Sequence, residues 1–332
     1  MINRAQFEYI NEPGFPLDWL EYGEALRLTE QKIQESLKTA PLTIRHLTTH
    51  LARAGGKGIR AQALLACAMG SDDLIRKSAV NAAAAIELLH LATLIHDDII
   101  DEADTRRGIA ALHVKFGDKL AVLCGDYLLC FALKLVASVT SDDKTDLNKM
   151  AATLLPYFTE VCLGEVREFS NTGNLDLTEE EYLKIISGKT AALFRASFHA
   201  GFLLSDEPQE MEDAYVDIGE QIGMIFQLAD DCMDFTSSLK KAKKPVLNDC
   251  SRGVVTLPLI HALKEDKGLK EKMLNGASED DIRAAVIKTG GIEYLRSMVA
   301  DRKMKAKELI SMLGSEKKRG RLGLLLEKAA SL

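Results

Sequence analysis

The sequence contains few aromatic residues and no paired cysteines of the metal-binding type. Aromatic residues make up 6% of the 332 residues, with one Trp, and the six cysteines show no Cys-x-x-Cys spacing. The cysteine pattern argues against a structural zinc site or a disulfide framework. Scarce aromatics with many Ala and Leu residues favour helix over sheet, and no stretch has a convincing alternating strand pattern. The sequence therefore predicts an all-α fold.

Basic clusters, targeting signals and long uninterrupted apolar runs are also scarce. The formal net charge is −7, and the one basic block spans residues 240–244, so we expect no nucleic-acid partner. Residues 1–6 lack the apolar core of a signal peptide, and Asn81, Glu87 and His90 interrupt the apolar stretch that begins at Ala79. We therefore expect a cytoplasmic protein without a transmembrane segment.

Helical periodicity recurs along the whole chain, and no Pro/Gly/Ser-rich linker divides it. We expect one all-helical domain over residues 1–332, a single large bundle around one core. The predicted helices span residues 17–38, 42–53, 58–70, 75–103, 118–139, 144–171, 178–204 with a break near Gly188, 207–238, 256–265, 279–287, 291–313 and 317–331.

The most informative pattern is an acidic motif that occurs twice. Residues 97–101 and 230–234 both read Asp-Asp-x-x-Asp, and each closes an apolar stretch. On a helix, positions i, i+3 and i+4 share a face, so the carboxylates converge. Two carboxylates about 5 Å apart repel by roughly 3 kcal/mol at an effective dielectric near 20. A solvated acidic helix end is the simpler alternative, but two copies after apolar segments favour Mg²⁺ sites whose open positions take substrate phosphates. The candidate metal ligands are Asp97, Asp98, Asp101, Asp230, Asp231 and Asp234.

Cationic residues near both motifs are candidates for phosphate binding. A glycine-rich turn precedes two of them at a helix start, where the helix dipole already favours anions. Arginine is well shaped to bind phosphate through paired donors, although arginines beside a carboxylate cluster also commonly form structural salt bridges. A lysine run such as 240–244 is usually a solvated face. The candidates are Lys57, Arg60, Arg106, Arg107, Lys189 with Thr190, and Lys244.

The helical segment before the first motif predicts an apolar slot below the metal site. The stretch back to residue 86 is roughly 16 Å long at 1.5 Å per residue, and its first turn carries small side chains. The alternative is a small-residue face that packs closely against another helix. The residues on and beside this face are Thr93, Ala92, His90, Leu89 and Ile86.

These patterns together resemble the trans-isoprenyl diphosphate synthases over residues 55–258. The first half of the resemblance lies in Gly-Gly-Lys-x-Ile-Arg at 55–60, Glu-x-x-His at 87–90, the motif at 97–101 and Arg-Arg-Gly at 106–108. The second half lies in Gly-Asp at 125–126, Gly-Glu at 164–165, Lys-Thr at 189–190, Phe-Gln before the motif at 230–234, Asp249 and Thr-Leu-Pro at 256–258. Residues 87–96 are most similar to medium- and long-chain enzymes, including the catalytic component of two-part heptaprenyl diphosphate synthases.

The resemblance implies an isoprenoid-synthase bundle around a central cavity and a prenyltransferase that condenses isopentenyl diphosphate with an allylic diphosphate (geranyl, farnesyl or geranylgeranyl). It implies that Asp97, Asp101 and Asp230 hold three Mg²⁺ ions on the allylic diphosphate, with Asp98, Asp231 and Asp234 in support. It assigns Arg106, Lys189 with Thr190, and Lys244 to that diphosphate. It assigns Lys57, Arg60, His90 and Arg107 to isopentenyl diphosphate, and Gln227 to the reaction site.

The sequence departs from the family pattern at three places. Gly58 and Ala61 stand where Arg and Pro are usual, Glu168 stands where Gln or Asp is more common, and Lys243 with Lys244 replaces a Gly-Lys pair. The small residues Thr93 and Ala92 predict a medium- to long-chain product, and a short-chain geranylgeranyl synthase is the alternative.

Other functions remain open from the sequence. A terpene cyclase uses a similar metal motif but has no need for a second diphosphate site. A non-catalytic subunit of a heteromeric synthase would be free to lose the motifs. A di-iron bundle needs a second Glu-x-x-His, whereas the chain has only the one at 87–90. The resemblance implies a homodimer, with a heteromer containing a small regulatory subunit as the alternative.

Overall fold

The computed structural model describes residues 18–139, 147–236 and 252–331. Within these ranges most residues are helical and the only strands are two residues long, which confirms the predicted all-α class. The helices are α1 (Tyr22–Lys38), α2 (Arg45–Leu51), α3 (Ile59–Cys67), α4 (Ala79–Ile100), α5 (Leu112–Phe116), α6 (Asp118–Ala137), α7 (Leu147–Ser170), α8 (Glu179–Ile186), α9 (Ala192–Leu203), α10 (Glu212–Thr236), α11 (Leu257–Glu265), α12 (Leu269–Leu274), α13 (Glu279–Lys288), α14 (Gly291–Ser311) and α15 (Glu316–Ala329).

Helix α4 forms the centre of the core and ends at the first aspartate motif. Its four alanines at 82–85 are fully buried, and α1, α3, α6 and α9 all pack against it. Small side chains allow helix axes to approach closely, which brings the neighbouring helices tightly around α4. The carboxyl end of α4 is thereby fixed, and the first motif with it.

Helices α9 and α10 approach each other at two glycines of α10. A Cβ atom at Gly223 would lie 2.5 Å from the Cα of Ala191, and one at Gly219 would lie 3.0 Å from the Cα of Arg195. No larger residue fits at Gly223, and a side chain at Gly219 would force its neighbour to shift, so the glycines set the spacing of α10 against α9 and the residue before it. This close packing places the second motif, at the carboxyl end of α10, beside the segment that connects α8 to α9.

The predicted break near Gly188 is a π-helical turn, Ser187–Ala191, between α8 and α9. Other short elements escaped prediction. The helices α5 and α12 are too short for a periodic pattern to indicate them. Two antiparallel pairs of two-residue strands, Trp19–Leu20 (β1) with Ile75–Arg76 (β2) and Thr105–Arg106 (β3) with Ile109–Ala110 (β4), were also missed. A strand of two residues has no alternation to detect.

Two of the described helices are long and apolar enough to cross a membrane by length and composition alone, Ser78–Ile100 and Asp118–Ala137. The most apolar window of the first is 61% buried in the bundle and that of the second is 39% buried. A core helix passes the same test, and α4 is such a helix. The expectation that no segment crosses a membrane stays a prediction.

Candidate active site

The two aspartate motifs line one cavity of about 500 Å³. Asp97 and Asp101 reach it from the end of α4, and Asp230 and Asp231 reach it from α10. The remaining walls come from α3, the segment at 105–107, α7, α8, the π-helical turn, α9 and the segment at 252–256. The structure therefore brings four of the six predicted aspartates to a single space, although the motifs lie more than a hundred residues apart in sequence.

The middle aspartate of each motif is buried and held by neighbouring side chains. Asp98 is 4% exposed, and Arg106 donates to its Oδ1 through Nε at 2.7 Å and through a terminal guanidinium nitrogen. Asp231 is 2% exposed, and its two oxygens accept from the hydroxyl of Tyr182 at 2.5 Å and from Nε2 of Gln227 at 2.7 Å. Asp98 therefore holds Arg106 in position, and Asp231 holds Tyr182 and Gln227 in position.

Asp98 and Asp234 do not line the cavity. The sequence suggested Asp98 as a metal ligand, but its carboxylate is turned towards Arg106, which is the structural salt bridge that we considered as the alternative. A buried carboxylate needs a partner, and the nearest guanidinium supplies it. Asp234 is half-buried and lies one turn further along α10 than the lining residues.

The π-helical turn carries Lys189 and Thr190 to the cavity wall. A Cβ atom at Gly164 of α7 would lie 2.2 Å from the backbone nitrogen of Lys189, so only glycine allows α7 to pack this closely against the turn. Thr190 donates to Oε1 of Gln227 at 2.7 Å, and Gln227 donates in turn to Asp231. The turn therefore supports the second motif through a chain of hydrogen bonds.

Lys189 is paired with two carboxylates at the cavity wall and lies near a third, that of Asp97. Its Nζ lies 3.0 Å from Oε2 of Glu165 and contacts Oε2 of Glu168 still more closely. Burial raises the pKa of Asp97 to about 6, with Lys189 lowering it and Asp101 raising it further. Burial likewise raises the pKa of Glu165 to about 7. One lysine does not balance this group, which therefore favours a further cation.

The two arginines after the first motif lie on a hairpin formed by β3 and β4. Arg107 and Gly108 form its two-residue turn with φ of 51° and 79°, as a type I′ turn requires. A Cβ atom at Gly56 would lie 2.7 Å from Nη1 of Arg107. The absence of a side chain at Gly56 therefore lets the guanidinium of Arg107 pack against the glycine-rich turn.

Arg60, His90 and Arg107 meet at one end of the cavity. The guanidinium of Arg60 is buried, lies 4.7 Å from the centroid of the Phe194 ring, and has an Nε without a hydrogen-bond partner among the described residues. Burial lowers its pKa to about 10. Burial, followed by Arg60 and Arg107, holds the pKa of His90 well below its usual value, so the imidazole is neutral. This end of the cavity carries excess positive charge and suits an anion.

Several predicted residues lie elsewhere. Lys57 is exposed and does not line the cavity, and Lys244 lies outside the described residues. Of the predicted slot residues, Thr93 and His90 line the cavity. Ala92, Leu89 and Ile86 are buried in the helical core and do not line it. The slot is therefore shorter than predicted. These three side chains pack against neighbouring helices, which is the close helix packing that we gave as the alternative to an apolar slot.

Sequence reasoning missed or undervalued several lining residues. Glu165 was noted only as part of a motif, and Glu168 only as a departure from the family pattern. Tyr182 and Arg252 were not noticed, because no local pattern marks either residue. Arg252 places Nη1 3.1 Å from Oδ2 of Asp101, a pairing between residues far apart in sequence.

Within the described ranges, no three His, Cys, Asp or Glu side chains stand close enough together to hold a metal ion by themselves. The carboxylates that line the cavity come from different helices, with Asp97 and Asp101 at the end of α4, Glu165 and Glu168 on α7, and Asp230 and Asp231 on α10. Such an arrangement suits a cation that also takes ligands from a bound substrate, as Mg²⁺ commonly does.

Comparison with known proteins identifies the family. The model of the family described as polyprenyl synthetase matches residues 41–289. A short chain isoprenyl diphosphate synthase of Methanothermobacter thermautotrophicus is 34% identical over 311 residues, which cover 90% of this chain and 94% of that protein. Component 2 of the heptaprenyl diphosphate synthase of Bacillus subtilis is 30% identical over 291 residues, which cover 86% of this chain and 81% of that protein.

A solved structure agrees with these relatives. The polyprenyl synthase of Caulobacter crescentus CB15, solved with calcium and isoprenyl diphosphate, superposes with a TM-score of 0.82 and 29% identity, covering 93% of this chain and 95% of that one. The bundle and its cavity have the isoprenoid-synthase fold. The chain belongs to the polyprenyl synthetase family and is a prenyltransferase, which confirms the resemblance seen in the sequence.

Proposed function

We propose that this prenyltransferase condenses isopentenyl diphosphate with an allylic diphosphate in a Mg²⁺-dependent reaction. The observation that carries the proposal is the division of one cavity into two anion-binding parts. Asp97, Asp101 and Asp230 with Lys189 form the first part, and Arg60 with Arg107 forms the second. Two diphosphates need two such parts, whereas a terpene cyclase needs only the first.

The cavity carboxylates fit Mg²⁺ in their chemistry. All are oxygen donors, and burial raises the pKa of Asp97 to about 6 although Lys189 lowers it, so a cation bound beside Asp97 would stabilise the ionised carboxylate. Asp97, Asp101 and Asp230 would hold the ions against the allylic diphosphate. The bound ions would supply electrostatic stabilisation of the diphosphate as it leaves.

The residues of the chain position the reactants and keep the cavity dry. Heterolysis of the allylic C1–O bond gives a delocalised carbocation, and the double bond of isopentenyl diphosphate attacks it. The new tertiary cation loses a proton, and the departing diphosphate is the base. Lys189 stabilises the departing diphosphate by charge, Arg60 and Arg107 orient the second substrate, and Leu193 and Phe226 exclude water from the walls.

The test is incorporation of labelled isopentenyl diphosphate with farnesyl diphosphate as starter. We expect Mg²⁺-dependent incorporation, and a loss of roughly a hundredfold or more in Asp97→Ala because a charged group at the reacting centre is removed. The control is Asp217→Ala, which removes an exposed carboxylate paired with Lys305 on the surface. A terpene cyclase would consume the allylic substrate without incorporating label, and a non-catalytic subunit would do neither.

We propose a medium- to long-chain product, because neither Thr93 nor Ala92 is an aromatic residue that would block the cavity below Asp97. One observation favours the short-chain alternative: Leu89 and Ile86 are fully buried, and the cavity does not reach them. Mass analysis of the prenyl product decides between them. Products beyond geranylgeranyl length support the first proposal, and products that stop at that length support the second.

We also propose that the chain forms a homodimer through α6 and α7, which pack together and share an exposed apolar face. The face includes Leu120 and Leu123 of α6 and Leu163, Val166 and Phe169 of α7. An apolar face of this kind is unusual on a monomer and is typical of an interface. Sedimentation of the purified chain tests the proposal.

Two charge-introducing substitutions test whether the α6–α7 face is the interface, one on this face and one at an exposed apolar residue elsewhere. We expect Phe169→Lys to shift the chain towards monomer, and Leu324→Lys on α15, which removes an equally exposed apolar side chain, to leave the dimer intact. A monomeric parent chain would contradict the homodimer. Activity that then appears only after addition of a small partner protein would support the heteromeric alternative.

A further inference from the structure

Arg252 enters the cavity from a backbone segment that is tied to the turn after α7. The backbone nitrogen of Gly173 donates to the carbonyl of Gly253 at 2.7 Å. Gly253 has φ of 78°, and a Cβ atom there would lie 3.2 Å from the nitrogen of Gly173. Because this backbone is held in place, the guanidinium of Arg252 is restricted to the region of the cavity entrance.

The side chain of Arg252 contacts the last aspartate of the first motif. Its Nη1 lies 3.1 Å from Oδ2 of Asp101, and the two side chains are 33% and 36% exposed. The backbone nitrogen of Asp101 donates to the carbonyl of Asp97 at the end of α4, so the backbone that carries this carboxylate is held in place. An ion pair with this much exposure contributes little stability, and its partners exchange at low cost.

Other cations that line the cavity are held more firmly. Lys189 lies between Glu165 and Glu168, and all three side chains are at most about one quarter exposed. Arg106 is paired with the buried carboxylate of Asp98. Withdrawing Arg106 would leave the buried carboxylate of Asp98 uncompensated, and withdrawing Lys189 would leave two largely buried carboxylates without their cation, both of which are costly. Arg252 therefore leaves its partner more easily than Lys189 or Arg106 does.

We propose that Arg252 exchanges partners during substrate binding. It forms an ion pair with Asp101 while no substrate is bound, and it binds the allylic diphosphate once a divalent cation is bound at Asp101 instead. This inference rests on the proposed function. Asp101 could not hold the guanidinium of Arg252 and a divalent cation together, because the two positive charges would repel each other, and a diphosphate would offer Arg252 stronger, charge-assisted hydrogen bonds. Divalent cation and diphosphate thus bind cooperatively, with Arg252 as the group that couples them.

Direct binding measurements test the exchange without relying on turnover. Mn²⁺ binding to the substrate-free protein is measured by electron paramagnetic resonance. Inorganic diphosphate binding is measured by calorimetry at saturating Mg²⁺. We expect Arg252→Met to bind Mn²⁺ about two- to fivefold more tightly, because a competing surface ion pair is lost. We expect the same variant to bind diphosphate roughly 10- to 100-fold more weakly, because charge-assisted hydrogen bonds are lost.

The matched control is Arg27→Met, which removes an exposed arginine paired with Glu24 at 2.7 Å on α1. It should change neither affinity. Arg252→Lys keeps the charge and should lose less diphosphate affinity than Arg252→Met, and an equal loss in both would overturn the exchange. Unchanged diphosphate affinity, or unchanged or weaker Mn²⁺ binding, in Arg252→Met would also overturn it while leaving the proposed function intact. Failure of the unsubstituted chain to bind diphosphate would overturn both.

Discussion

The hydroxyl of Tyr182 allows a sharp test of how the second aspartate motif is held. Tyr182 is buried, and its hydroxyl donates to Oδ2 of Asp231 at 2.5 Å. Tyr182→Phe removes one hydrogen bond to a buried carboxylate and little volume. Hydrogen bonds to charged groups contribute about 1.5–3 kcal/mol, so the free energy of unfolding should fall by about that amount. If Asp231 must keep its orientation for the reaction, kcat/KM should fall roughly ten- to a hundredfold.

The matched control is Tyr294→Phe. The hydroxyl of Tyr294 also donates to a carboxylate, that of Glu179, at 2.9 Å, but this pair lies outside the cavity. Urea unfolding and steady-state kinetics of both variants are compared with those of the parent chain. We expect Tyr294→Phe to cost less than about 1.5 kcal/mol and no activity. Equal activity in Tyr182→Phe and the parent chain, or an equal loss in both variants, would refute the positioning role of Tyr182.

Four further predictions concern residues in and beside the cavity wall. Thr93→Tyr should shorten the prenyl product, because Thr93 lines the cavity; mass analysis of the product checks this. Ala92→Phe should lower the free energy of unfolding by about 1–3 kcal/mol, because Ala92 is buried and the larger side chain overpacks the core; urea unfolding checks this. Burial raises the pKa of Asp97 from 3.8 to about 6. The contribution of Asp97 to the free energy of unfolding should therefore fall as pH rises from about 4 to 6, while the affinity of the protein for Mn²⁺ rises. Measured in the same buffers, the free energy of unfolding and the Mn²⁺ affinity should change with pH in opposite directions. Arg106→Met should destabilise the fold by about 3 kcal/mol, because Asp98 is left buried without its partner; thermal unfolding checks this.

The features that depend on local pattern were predictable from the sequence. The helical class, the interruption near Gly188 and the cationic character around Arg60 follow from periodicity, glycine placement and residue type. The two motifs lie in the last turns of α4 and α10 as the structure describes these helices, where the apolar periodicity before each motif predicted them. These signals extend over several neighbouring residues, so no tertiary information is needed to see them.

The features that depend on contacts between distant segments were not predictable. Asp97 and Asp98 are adjacent in sequence, yet one lines the cavity and the other pairs with Arg106. Adjacent residues of a helix point in different directions, so either carboxylate could have faced Arg106. The position of the β3–β4 hairpin, which carries Arg106, determines that the ion pair forms with Asp98. The slot was predicted to reach residue 86, and the cavity is shallower for a similar reason. Leu89 and Ile86 are covered by neighbouring helices, and the local sequence pattern does not show which helices pack there.

The π-helical turn, Ser187–Ala191, has a consequence for insertions and deletions in this chain. A π-helical turn accommodates one residue more than a regular helical turn. The extra residue is absorbed within the turn, so the helices on either side of it can keep their register. Excision of a single residue there would restore regular winding and remove the wide turn that brings Lys189 to Glu165, while α9 would keep its packing against Gly219 and Gly223. A one-residue gap at this turn is therefore expected to disturb the cavity wall more than the packing of the bundle.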